Sequence, residues 1–128
     1  MRARLLWTLM ISIPCAAQPI SSVPWMTGEQ LLKKVTVRPG VKGNFDLTPD
    51  EYVEAERARA YIDGVHDTTE GKAWCFSERY RPGPEALVDN VLVELRKLPP
   101  NQLKRNAGDL IAEIWARKWP CPGRGNQR

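Results

Sequence analysis

Cysteine placement constrains this chain more tightly than any other feature of its sequence. The last periodic segment finishes on Trp119-Pro120-Cys121. Proline alone is enough to stop a helix there, so the cysteine needs a separate reason. Three cysteines occur, Cys15, Cys75 and Cys121. The first lies in "MRARLLWTLMISIPCAAQP", which has two arginines, an apolar run over 5–13 and small residues ending in Ala16-Ala17. That is the three-part layout of a secretory leader, and its apolar run is too short to cross a bilayer as a stable helix. We expect residues 1–17 to be a cleaved signal peptide, 18–121 one helical domain and 122–128 a disordered tail. No membrane segment would remain after cleavage. Export leaves Cys75 and Cys121 together in an oxidising compartment, where two cysteines in a small domain most simply form one disulfide.

At 128 residues there is room for one domain and not two. The precursor carries a net charge of +4 from 19 basic and 15 acidic residues. Cleavage removes Arg2 and Arg4 and no acid, so +4 becomes +2. A nucleic-acid binder would be expected to keep a basic stripe. Here Lys and Arg alternate with Asp and Glu throughout, and no nucleic-acid partner is expected.

Local signals give the helices. Thr27 with Gln30 in "WMTGEQLLKKV" is a capping box ahead of Leu31, Leu32 and Val35. "TVRPGVKGNFDL" is a loop on turn chemistry alone. A stronger start follows: Thr48 caps, Pro49 takes the first helical position and Glu51 completes the box. Tyr52, Ala55, Ala58, Tyr61, Ile62 and Val65 recur at three- and four-residue steps and should face a core. Gly64 would bend this helix or admit another backbone. A third helix is expected over 84–98, buried through Leu87, Val88, Val91, Leu92, Leu95 and Leu98, with Pro99-Pro100 stopping it. The last should run over 101–119, with Leu103, Ala107, Leu110, Ile111, Ile114, Trp115 and Trp119 inward. No segment alternates with period two. The expectation is an all-α, four-helix bundle with one disulfide, the bond stapling the loop before the third helix to the end of the fourth.

Catalytic signatures are scarce. His66 is the single histidine, both remaining cysteines are better used in a disulfide, and no serine sits in a nucleophile-elbow context. Asp63, His66 and Asp67 stand at i, i+3 and i+4, near one helical face and close to Glu70. One imidazole among carboxylates is a weak metal signature, and a solvated helix end explains the cluster as well. No metal, cofactor or catalytic residue is therefore expected. Trp115 and Trp119, four apart on an apolar face, read as core, and Trp74 should pack beside the disulfide. In the polar loop after Cys75, Arg79, Tyr80 and Arg81 are the residue types favoured at binding hot spots, on a loop mounted to a rigid scaffold.

Four pieces in order resemble the Rap1a/Tai immunity-protein family: "WMTGEQLL", "AYIDGVHD", Cys75 after an aromatic, and "AGDLIAEIWARKWPC". Together they span about Trp25 to Cys121. The resemblance implies a small helical protein exported to the periplasm. It would bind a peptidoglycan-amidase toxin delivered by type VI secretion, block its active site and protect the producing cell and its kin. A homodimer is also compatible with the resemblance. One departure stands out. The family pattern implies a further cysteine pair at the positions held here by Val35 and Ala58, and losing both members together is what a lost disulfide leaves. Two other readings compete: a general periplasmic helper with no toxin partner, and a metal-dependent enzyme using Asp63, His66 and Asp67. A neighbouring gene for a secreted amidase would separate the first reading from the helper, and a silent His66→Ala substitution would remove the enzyme.

Overall fold

The computed structural model describes residues 23–36, 39–43, 46–76 and 81–123. The leader, the end of the tail, Arg79 and Tyr80 lie outside the described residues. Five α-helices and no strand occur among them: α1 (Gly28–Val35), α2 (Pro49–Thr69), α3 (Pro84–Leu95), α4 (Pro100–Leu103) and α5 (Ala107–Lys118). The all-α expectation holds, as does the disulfide, which joins Cys75 to Cys121 with 4.7 Å between their Cα atoms.

Both capping boxes form. Thr27 accepts from the Gln30 N–H while the Gln30 side chain accepts from the Thr27 N–H. Thr48 and Glu51 exchange the same pair of bonds at the start of α2. Each box satisfies helix-end N–H groups that would otherwise lack partners. Gly83 precedes α3 with no side-chain cap, and Pro84 supplies a preset φ at its first position.

The expected last helix divides in two. The chain turns at Lys104 and Arg105 because its backbone is claimed by the segment ahead of α1. The Ala107 N–H donates to the Met26 carbonyl at 2.9 Å, and the Gly28 N–H donates to the Arg105 carbonyl at 3.2 Å. Asn106 then restarts the helix, its Oδ1 accepting from the N–H groups of Gly108 and Asp109 at 2.8 and 3.3 Å. Tyr61 of α2 reaches the same point, its hydroxyl accepting from the Gly108 N–H at 3.0 Å, and burial pushes that hydroxyl above the usual tyrosine range. Arg105 also grips Glu113, nearly two turns into α5, and holds its carboxyl below the ordinary range.

The core lies where α2, α3 and α5 meet under α1. Leu31, Ala58, Ile62, Val91, Leu95, Ile111 and Trp115 are fully buried there, with Trp74 beside them. The stripes expected for α3 and α5 are inward as read, with Leu92, Leu98, Leu103 and Trp119 half-buried at the margins. The apolar stripe of α2 is shorter than its periodicity implies: Tyr52 is 48% exposed, because the first turns of this helix extend past the core and its buried positions begin at Ala58. Gly64 is exposed and no atom comes within 4 Å of where its Cβ would stand, so it admits no neighbouring backbone.

Gly28 is different. A Cβ there would lie 2.8 Å from Leu110 Cδ1, and 3.3 Å from both Leu103 Cδ2 and the Leu103 carbonyl oxygen. Glycine lets α1 settle directly onto the α4–α5 corner. Gly28→Ala should destabilise the protein by about 1–3 kcal/mol through overpacking, read as a lower urea midpoint at unchanged slope.

The disulfide closes a separation of 46 residues, worth roughly 4 kcal/mol on the chain-entropy model. Cys75→Ala, Cys121→Ala and the double variant should all lose about that much stability. A double variant that unfolds at the same urea concentration as the oxidised protein would contradict this.

Candidate functional site

The end of α2 runs into a tight sequence of local bonds that shape the surface around the disulfide. Glu70 caps the helix, its N–H donating to the His66 carbonyl at 3.0 Å. The chain then reverses through Gly71, at φ 74°, a conformation that side-chain-bearing residues rarely adopt. Its N–H donates to the Trp74 carbonyl at 2.8 Å, and the Ala73 N–H reaches back to the Thr69 carbonyl at 2.9 Å. This reversal delivers Trp74 into the core, where its indole N–H donates to Thr69 Oγ1 at 2.8 Å. A buried indole needs such an acceptor. The next residue is Cys75, whose N–H donates to the Trp119 carbonyl at 2.9 Å beside the bond to Cys121.

Around this crossing stands a wall of rings. Trp74 packs edge-on to Phe76 at 4.6 Å between centroids, and tilted against Trp115 at 4.9 Å and Trp119 at 5.8 Å. These spacings fall in the favourable range for offset or T-shaped pairs. The Lys118 ammonium lies over the Trp119 ring at 4.8 Å. Trp74 and Trp115 are therefore core, as their spacing and neighbours suggested.

His66 departs from its expected place at a solvated helix end. Its side chain is only 19% exposed and sits edge-on to Trp74 and Trp115, with centroids 5.6 and 6.3 Å away. Both imidazole nitrogens face carboxylates: Nδ1 lies 2.9 Å from Asp67 and Nε2 lies 3.1 Å from Glu70. Among the described residues no group of three or more His, Cys, Asp and Glu side chains converges on a metal position. Asp63, His66 and Asp67 instead form one wall of a cleft of about 460 Å³, closed on the other side by Arg81, Pro82 and Leu87.

Arg81 is where the polar loop re-enters the described chain. Its guanidinium stands over the Phe76 ring at 5.5 Å and 3.9 Å from the Glu70 carboxylate, with the side chain still 74% exposed. The described residues that flank the polar loop are thus anchored, Phe76 in the aromatic wall and Arg81 against Glu70. Sequence reasoning named Arg81 for its type and exposure. It missed Phe76, Thr69 and Glu70, which hold this surface in shape; the four-residue step from His66 to Glu70 was the one available signal.

A family model of Rap1a immunity proteins matches residues 27–121, about three quarters of the chain. The chain belongs to the Rap1a immunity protein family. No curated protein matches it. The match starts at the cap of α1 and ends on Cys121, so it takes in all five helices and the disulfide of this Rap1a chain. At the two positions where the resemblance implied another cysteine pair, Ala58 is fully buried in α2 and Val35 is half-buried near the end of α1. The same two helices are joined in this Rap1a protein by an ion pair between Lys34 and Glu54. Lys34, with help from Arg57, holds the Glu54 carboxyl below its ordinary range.

Thr69→Val keeps the shape of the residue and removes the acceptor for the buried Trp74 N–H. It should cost about 1–3 kcal/mol, measured by urea unfolding followed through tryptophan emission. A neutral result would mean that this bond does not hold the wall.

Proposed function

We propose that this Rap1a protein acts in the periplasm, where it binds a cell-wall amidase delivered by type VI secretion and blocks its active site. Membership of the immunity family is the observation that carries the reading. The local structure suits it. A disulfide and four mutually packed rings make a stiff base, and Phe76 and Arg81, the described residues flanking the polar segment over 77–80, are anchored there. Rigid presentation lowers the ordering cost of association. Arg79, Tyr80 and Arg81 are the residues assigned to contact, because tyrosine and arginine anchor interfaces through large contact area and planar hydrogen-bonding groups. Arg81, over Phe76 and beside Glu70, starts from a pre-set position. The leader over 1–17 supplies the route to the periplasm. The protein protects by occlusion, with no chemistry of its own.

Co-purification from a periplasmic extract containing candidate amidases, followed by an assay of cell-wall hydrolysis, tests this directly. The oxidised protein should bind one amidase and suppress its activity. Arg79→Glu combined with Arg81→Glu should weaken inhibition roughly 10- to 100-fold while leaving the urea midpoint in place. Failure to bind or slow any amidase would favour a general periplasmic helper instead.

A further inference from the structure

Trp25 is used by neither the core nor the loop surface. Its side chain is fully exposed, at 100%, and Val23 before it is 86% exposed. Single exposed apolar residues are ordinary, yet this one is held out by an anchored backbone. The three residues that follow are pinned in succession: the Met26 carbonyl accepts from Ala107, Thr27 caps α1, and the Gly28 N–H donates to Arg105. The indole makes no ring contact among the described residues and stands at the mouth of a cleft of about 550 Å³ between α1 and the start of α2. That volume is typical of small-molecule sites.

The rim of this cleft is mixed. Gln30, Lys33 and Lys34 come from α1, Thr36 from its C-cap, and Asp50, Glu51 and Glu54 from α2. Glu54 is paired with Lys34, whereas Lys33 and Asp50 have no ion pair among the described residues. Donors and acceptors thus surround one aromatic face. A ligand of single charge sign would be repelled by half of the rim. An apolar peptide or a second copy of the chain would bury ionised groups without partners, and interface cores are depleted of such groups. A sugar ring meets the pattern: its C–H face is apolar and suits an indole, and each hydroxyl both donates and accepts. We propose that the Trp25 cleft binds an uncharged saccharide chain, with one ring stacked on the indole and its hydroxyls hydrogen-bonded to Lys33 and Asp50.

Titration of the oxidised protein with chitotetraose, and with cellotetraose as the arm lacking acetamido groups, tests this through tryptophan emission and calorimetry. Saturable binding of either sugar is expected. Trp25→Ala should weaken it roughly tenfold or more, the scale of one lost aromatic contact. The urea midpoint should not move, because the indole is fully exposed. Three results would each overturn the proposal. Neither sugar binds; or Trp25→Ala binds as tightly as the parent; or the protein self-associates on concentration in a way that Trp25→Ala abolishes, which would make a second copy the occupant.

Discussion

The crossing of Cys75 over the end of α5 is the constraint on which the rest of the molecule depends. Among the described residues between Thr69 and Pro84, 70–76 and 81–83, no helix supports the chain, and irregular backbone is expensive to order. Here the cost is met at one place. The disulfide, the Cys75 bond to the Trp119 carbonyl and the Trp74 indole on Thr69 act within a few residues of one another. Because Trp74 is fully buried while Phe76, two residues on, is half-exposed, the same short stretch serves as core on one side and as surface on the other.

A second anchor operates at the opposite end of the bundle. The segment ahead of α1 is tied to the α4–α5 corner by main-chain bonds from Gly28 and Ala107, and Gly28 has no side chain to hold the helices apart. Such contacts are satisfied by backbone, so they are indifferent to most side-chain changes nearby. This explains how α1 stays in place with Val35 and Ala58 where a covalent link was implied: main-chain bonds fix its start, Leu31 is buried beneath it, and the Lys34–Glu54 pair spans to α2.

What was legible in the sequence follows the range of the interactions involved. The two capping boxes are local, three residues wide, and Thr27 and Thr48 could be read directly. The disulfide was legible because the expected loss of Cys15 with the leader leaves Cys75 a single partner. The break at Lys104–Arg105 was not, because its cause is the chain at Met26 and Gly28, some eighty residues earlier. The stripe on α2 overran at Tyr52 since periodicity reports a face and says nothing of how far the neighbouring helices extend along it. His66 read as solvated because its spacing to Asp63 and Asp67 is visible in the sequence, whereas Trp74 and Trp115 reach it only through the tertiary fold. Of the loop surface, residue type pointed to Arg81; the ring beneath it and the carboxylate beside it were not visible.

The position of Cys121 sets a timetable. Its partner Cys75 lies 46 residues earlier, with α3, α4 and α5 between them, so the last helix must be made before the two sulfurs can meet. A copy kept under reducing conditions lacks this brace. Maturation of the aromatic wall is thereby postponed until Trp115, Trp119 and Cys121 have all joined the chain and the bond has closed.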